Sequence, residues 1–405
     1  MPENLMSEER PRIAILGAGP TGIEAALAAA ESGFPFVVFE AAPGAAGHLR
    51  GWGHVRLFTP WDLSLSPRVR RRLAEAGAEA PAGSECPTGH ELADVLDRVA
   101  ALPDLAPGFR FGTRVLAIGR EGLLKHEEIA TPERGRHPFR LLVAEPSGRE
   151  RIERADVVID ASGTYGNPNR LGDGGIPAAG ESALDREIRR DIPDFAAEAA
   201  EWAGRTILLA GAGHSAQTAV RDLAELARAR PGTRVIWALR SGAPDWGSPA
   251  DDPLPERARL AATAAGIAGG ASPAVEVRRG VVVEEITRPN GKLRVVLRNG
   301  KGREEVEVDR ILSLTGFVGD AGIYRQLQVH ECYATCGPIK LSAALLGAAA
   351  GDCLDQTSHG VDTLTNPEPG LFILGSKSYG RNNSFLMRVG WEQVGEVFGQ
   401  LAGNG

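Results

Sequence analysis

The stretch Gly17-Ala18-Gly19-Pro20-Thr21-Gly22 follows the apolar run Ile13-Ala14-Ile15-Leu16 and opens the alanine-rich segment Ile23–Ala30. That order predicts a strand, a tight turn and a helix. Gly17 allows the turn, Gly19 lets backbone amides approach a pyrophosphate, and Gly22 lets helix and strand pack closely. The helix that starts at Pro20 and Thr21 offers unpaired N–H groups, from Thr21 onward, and a positive dipole end to phosphates. A second strand, Phe36–Phe39, ends in Glu40, an acid placed to accept hydrogen bonds from a ribose 2′-OH. A lone G-x-G-x-x-G is weak evidence. With two strands, a helix and Glu40 in register, it predicts a dinucleotide site.

The pattern then restarts. Thr206–Ala210 reads as a strand, Gly211-Ala212-Gly213-His214-Ser215-Ala216 as a second dinucleotide turn with alanine in third place, and Gln217–Ala229 as a helix ended by Pro231-Gly232. The next strand, Arg234–Leu239, ends in Arg240 rather than an acid. A cation there suits a 2′-phosphate and favours NADP(H) over NAD(H), with Ser241 able to add a hydrogen bond. His214 reads as shaping the pyrophosphate turn rather than as a base. Each half continues into short alternating strands and then an apolar strand ending in small residues. In the first this is Ala155–Thr164, with Ala161 and Gly163 at its end, and in the second Arg310–Phe317.

Between the halves, residues 165–200 form a Gly/Pro-rich connector with a polar helix. The loop Ala41–Arg50, with Gly47 and His48, is built of small residues that let backbone pass near a ligand. Trp52–Asp62 is aromatic, basic and without period, as a pocket wall or as ordinary buried aromatics. Residues 67–80 and 90–101 look helical, and the Arg68–Leu73 cluster decorates a helix surface. Gly370–Gly375 is a strand, and residues 384–402 an amphipathic helix with Asn383 or Ser384 as its N-cap.

The 405 residues predict two or three domains. A net charge of −7 with no long basic stretch argues against a nucleic-acid partner. No apolar run is long enough to span a membrane. Met1–Arg10 is polar, lacks the apolar core of a signal peptide and is expected to be a disordered tail. Four cysteines in so long a chain make no disulfide framework, so a reducing cytoplasm is expected. The eight histidines show no metal-ligand spacing.

Taken together, GAGPTG, Glu40, IDASGTYGNP, GAGHSA, SLTGF and a late ILGSKSYGR resemble the two-dinucleotide-binding-domain flavoproteins, among them flavin-containing monooxygenases, N-hydroxylating monooxygenases and thioredoxin-reductase-like enzymes. The resemblance implies an α/β protein of two Rossmann-like domains, the NADP domain inserted into the FAD domain. Residues 11–195 and 318–405 would hold FAD and residues 196–317 NADPH, with hydride passing from nicotinamide to flavin where the domains meet. It implies flavin contacts at Gly375, Ser376 and Ser384. In much of the superfamily an Asp follows that glycine and binds the ribityl chain. Here Ser376 and Lys377 stand instead.

The chemistry that follows is an FAD- and NADPH-dependent oxidoreductase acting on a small-molecule substrate or redox acceptor. The cysteine pairs of the related disulfide reductases are absent, since 41–60 and 200–320 hold no cysteine. Cys332 and Cys336 would share a face on a helix, with Cys353 further on. A redox or metal role is one reading of that pair and incidental thiols the other. Oxygen is then the favoured acceptor, as in N- or S-oxygenation of a small molecule or a carried intermediate, although Phe195–Gly204 lacks the FxGxxxH signature of the better-known flavin monooxygenases. A cysteine-free NADPH-dependent reductase is the alternative, and a flavin-bound redox sensor without turnover a third reading. Arg56, Lys377 and Arg381 are candidate anion contacts, and Tyr379 a candidate donor to a flavin or substrate oxygen. Homodimerisation stays open.

Overall fold

The computed structural model describes residues 10–247, 252–347 and 357–403. The expected tail, apart from Arg10, and Cys353 lie outside the described residues. In chain order the strands are β1 (Ile13–Leu16), β2 (Phe36–Phe39), β3 (Phe109–Arg110), β4 (Arg114–Arg120), β5 (Phe139–Ala144), β6 (Glu150–Ala155), β7 (Val157–Asp160) and β8 (Ile188–Arg189). They continue with β9 (Thr206–Ala210), β10 (Arg234–Leu239), β11 (Val275–Arg279), β12 (Val282–Thr287), β13 (Leu293–Asn299), β14 (Gly302–Val308), β15 (Arg310–Ser313) and β16 (Leu371–Ile373).

The chain divides into two compact units. One comprises the described residues of Met1–Arg50, Pro60–Asn167 and Val318–Gly405. Its parallel sheet has the order β16-β7-β1-β2-β3. The register sets Leu16 abreast of Phe39 and Asp160, and Ile373 abreast of Asp160, so the carboxyl ends of four strands align. Ile13–Leu16 is fully buried, as a central parallel strand covered on both faces must be. The helix Pro20–Glu31 packs on the helix Met387–Gly403. The antiparallel meander β4-β5-β6 packs on the sheet through Phe139, Leu141 and Val143 against Ala14, Val37 and Val158. The helices Pro67–Glu75 and Gly89–Ala100 form where helical pattern was expected. Arg68 on the first of them pairs with Glu24 and Glu31.

The other unit, Gly51–Thr59 with the described residues of Pro168–Phe317, repeats the plan. Its parallel sheet runs β11-β10-β9-β15-β8, so β10, β9 and β15 correspond to β2, β1 and β7. The helix His214–Ala229 covers one face through Val220 and Leu223 on Trp237 and Leu209. The meander β12-β13-β14 covers the other through Val283, Val295 and Leu297. Both meanders carry a register shift in their first strand, between Val115 and Ala117 and between Val283 and Glu285.

The boundary differs from the expected 195/196. Residues 168–195 belong with the second unit because β8 extends its sheet beside β15, and because Gly172 and Ala179 bridge to Val283 and Glu285. The buried Glu181 carboxylate, accepting from the amides of Leu171 and Ala178 and paired with Arg190, fixes that connector. The second unit ends at Phe317, and the first resumes at Val318. Gly51–Thr59 also joins this unit, where Val55 packs on its core.

Candidate functional site

In the first unit the turn between β1 and the helix Pro20–Glu31 is shaped by steric exclusion. Gly17 takes φ +92°, and a Cβ there would lie 2.8 Å from Ala161 O. A Cβ on Gly22 would collide with Gly17 O. Around Gly19, in contrast, a side chain would meet nothing within 4 Å. Gly17 and Gly22 are thus required by packing, and Gly19 keeps a face clear. The helix begins at Pro20 with Gly19 as N-cap and no side-chain cap, so its leading amides keep their capacity for an outside acceptor. Glu40 closes the turn from the other side. Its carboxylate accepts from Ala18 N at 2.7 Å and from Ala42 N at 2.8 Å. Gly47 is the residue that fits beside Ala42 Cβ, and the His48 ring stacks on Tyr165 at 5.8 Å between centroids. Burial holds the His48 imidazole below its ordinary pKa, against the pull of Glu40.

The strand ends opposite complete the cradle. After β7, Ala161 packs on Gly17, and Gly163 takes φ +70° with its open side toward Ser376 Oγ, 3.8 Å from where a Cβ would stand. After β16, Gly375 takes φ +72° against Thr21 Oγ1, and its amide donates to the buried Gln393 at 2.8 Å. Thr21, Gly163, Gly375 and Ser376, scattered in sequence, therefore meet at the carboxyl edge of the sheet, where open α/β sheets take their ligands.

Two expectations in this region are corrected. Lys377 is no free anion contact. It is 2 % exposed, and its Nζ lies 2.6 Å from the fully buried Asp160 Oδ2 and 3.2 Å from Ser162 Oγ. Asp160 Oδ1 in turn accepts from Ser162 N and Oγ. A cation so enclosed needs a partner, and Asp160 supplies it. The C-terminal helix begins at Met387, past the expected N-caps. The Ser384 amide and hydroxyl instead donate to Asn382 Oδ1, in a local turn that competes with the helix.

Tyr379 is fully buried, with its Oη unpaired among the described residues and its ring edge-on to Phe385. Burial pushes its phenol up to about 12, so it is a neutral donor. Arg381 is exposed, and its Nε–H donates to Cys336 Sγ at 3.4 Å. Cys332 and Cys336 lie in a closed loop rather than on the helix their spacing suggested.

In the second unit the same parts recur. Gly211 takes φ +128°, and a Cβ there would collide with Leu314 O, the counterpart of Ala161. The same Cβ would lie 3.3 Å from Ala216 Cβ, so the alanine in third place leaves the turn just enough room. Gly213 caps the helix with no side-chain bond and has open space beside it. Ser215 is exposed at the helix start. The His214 ring turns inward against Phe58 at 5.1 Å, with Nε2 buried. Trp237 donates its indole N–H to Gly211 O at 2.8 Å. Arg240 is exposed, and no partner engages it among the described residues. Ser241 is corrected: its hydroxyl closes its own turn with Ala243 O at 2.8 Å and Ala243 N at 3.1 Å. Arg56 is exposed on the segment Gly51–Thr59.

Sequence reading missed Asp160, whose place in an apolar run should have asked for a buried cation. It also missed Asp97, which accepts from Ala45 N at 2.8 Å and pairs with Arg50 to hold the glycine-rich loop.

No family model and no curated protein matches the sequence. Solved structures do share the fold. Bacillithiol disulfide reductase from Bacillus cereus superposes with a TM-score of 0.67 at 17% identity, over 98% of this chain and 100% of that one. The ornithine N-hydroxylase of Kutzneria sp. 744, with FADred, NADP+ and L-orn, gives 0.62 at 16% identity over 98% and 99%. The FAD-bound cadaverine monooxygenase of Erwinia amylovora gives 0.64 at 12% identity over 97% and 94%. The chain thus has the fold of the two-dinucleotide-binding-domain flavoproteins. Among the described residues no helix is long and apolar enough to cross a membrane.

Proposed function

We propose that the chain is an FAD- and NADPH-dependent oxidoreductase, and that it is a monooxygenase performing N- or S-oxygenation of a small molecule. The observation that carries the first part is the pair of uncapped glycine turns, one closed by the acid Glu40 and the other followed by the exposed cation Arg240, which has no partner among the described residues. In the first unit Gly17, Gly19 and the start of the helix at Pro20 and Thr21 would hold the FAD pyrophosphate. Glu40 would turn its carboxylate to the ribose, and Gly163, Gly375 and Ser376 would face the rest of the flavin nucleotide. In the second unit Gly213, Ser215 and Ala216 would take the NADPH pyrophosphate, with Arg240 on the 2′-phosphate. Bound FAD would take electrons from NADPH and deliver them to oxygen. Oxygenation is favoured because no cysteine lies in 41–60 or 200–320. Two of the fold neighbours described above are N-hydroxylating or monooxygenase enzymes.

The test is oxygen uptake by purified protein with NADPH, with and without candidate amines and thioethers, and mass analysis of the product. Substrate-stimulated uptake with one added oxygen atom is expected. The second reading, an NADPH-dependent reductase, is supported by the likeness to bacillithiol disulfide reductase. It would show as rapid transfer to a dye or disulfide with no oxygen incorporated. A protein that binds flavin but is never reduced by NADPH would overturn both and leave a sensor.

A further inference from the structure

Residues 331–338 form a closed loop. Glu331 and Pro338 bridge antiparallel, Cys332 N donates to Gly337 O at 2.8 Å, and Cys336 N donates to Cys332 O at 2.8 Å. An i to i+4 turn of this kind holds the two Cα atoms about 6 Å apart, within the span of a disulfide. Cys336 takes φ +60°, a left-handed conformation that persists in a non-glycine residue where its surroundings impose it. The segment 375–381 imposes it here. Arg381 N donates to Thr335 O at 2.7 Å, Gly380 leaves no room for a side chain beside that same oxygen, and a Cβ on Gly337 would lie 2.7 Å from Ser378 O. Thr335 Oγ1 and Ser342 Oγ share a hydrogen bond of 2.6 Å behind the loop.

The two thiols differ in surroundings. Cys332 is 5 % exposed. The Thr335 hydroxyl and the amides of Thr335 and Ala334 near its sulfur hold its pKa below that of an ordinary thiol. Cys336 is half-buried and accessible, with Arg381 Nε–H donating to its sulfur. Neither thiol has a part in the function proposed above.

We propose that Cys332 and Cys336 are a redox-active dithiol that exchanges with low-molecular-weight disulfides. The Cys336 thiolate attacks a disulfide RSSR, forming Cys336–S–SR and releasing one RS⁻. The Cys332 thiolate then attacks Cys336 sulfur, closing the intrachain disulfide and releasing the second RS⁻. The protein dithiol is oxidised by two electrons, RSSR is reduced, and the two thiol protons end on two RSH. Excess dithiol reverses both steps. No cofactor takes part, so this exchange stands or falls separately from the FAD and NADPH reading.

The experiment treats the full chain with oxidised glutathione, traps remaining thiols with iodoacetamide, and maps tryptic peptides. Gln326–Lys340 carries both cysteines in one peptide. The expected result is this peptide lighter by two hydrogens and unlabelled, and doubly labelled after dithiothreitol. In Cys332→Ser, Cys336 should stop at the mixed disulfide with glutathione. In Cys336→Ser, the buried Cys332 should react about 10-fold or more slowly than Cys336 does in the wild type. A wild-type peptide that stays doubly labelled after the treatment would overturn the proposal, as would Cys336 bridged to Cys86 or Cys353. The wild-type measurement decides the matter even where a variant folds poorly.

Discussion

Lys377 Nζ lies 2.6 Å from Asp160 Oδ2, both side chains essentially removed from solvent, and this ion pair fastens the loop after β16 to the end of β7. Those are the two strand ends that flank Ser376 and Gly163. Deleting one member of a buried pair leaves the other charge uncompensated, at a cost of about 3–5 kcal/mol, whereas replacing both by neutral groups is often close to neutral. Lys377→Met is expected to lose stability on that order, and Asp160→Asn with Lys377→Met to regain most of it. Urea unfolding of the wild type and the two variants measures this. An equal loss in the double variant would mean that Lys377 acts through its stem, packed on Gly319, rather than through its charge.

Gly19 and Gly22 make opposite predictions three residues apart. A Cβ on Gly22 runs into Gly17 O, so Gly22→Ala must push helix and strand apart, at a cost of about 1–3 kcal/mol. A Cβ on Gly19 meets open space, and with φ −77° alanine fits without strain. Gly19→Ala should therefore melt within a few degrees of the wild type while its flavin affinity falls by about 10-fold or more, because the methyl group stands where a pyrophosphate would approach. Thermal melting and visible absorbance of the purified variants separate the two effects. A Gly19→Ala protein as yellow as the wild type would place the phosphates elsewhere.

What the sequence made legible was local and repeated. Each turn announces itself because strand, glycines and helix are contiguous, and because sterics require the same residue types at Gly17 and Gly211. The doubled plan followed from that repetition. The rest depends on pairs far apart in the chain. Asp160 and Lys377 are 217 positions apart, and nothing local to either names the other. The boundary at Asn167 was hidden for a similar reason. β8 is two residues long, too short for any period to show, and its membership comes from pairing with β15. Ser241 looked available because an exposed serine beside Arg240 gives no sign that its hydroxyl is already used.

Arg240 predicts a cofactor preference. It stands exposed just past β10, the strand whose counterpart in the other unit leads to Glu40. A hydrogen-bonded contact between charged groups contributes about 1.5–3 kcal/mol, or about 10- to 100-fold in binding. Anaerobic reduction by NADPH should be faster than by NADH, and Arg240→Ala should narrow the ratio of kcat/KM by that factor. Ser241→Ala should change it little, since its hydroxyl serves Ala243. Faster reduction by NADH in the wild type would remove Arg240 from the site.

His214 predicts how the second unit responds to acid. Burial holds its imidazole below the ordinary pKa, and the charge of Arg257 adds to that, against a Gly247 backbone hydrogen bond and Asp252 that act the other way. The ring is half-buried against Phe58, so protonation would place a charge where little solvent reaches it. The folded state therefore binds this proton less readily than the unfolded chain. The stabilisation is fully present above the unfolded value near 6.5 and is lost as the pH falls below it, with a slope of at most about 1.4 kcal/mol per pH unit from one site. In His214→Asn that part of the slope should vanish. Denaturant unfolding of both proteins at pH 7.5, 6.5 and 5.5, about a unit either side of the ordinary imidazole value, tests it. The wild type should lose more stability on acidification than the variant. Parallel losses would assign the acid sensitivity to other groups, and His48 beside Glu40, shifted in the same direction, would be the next to replace.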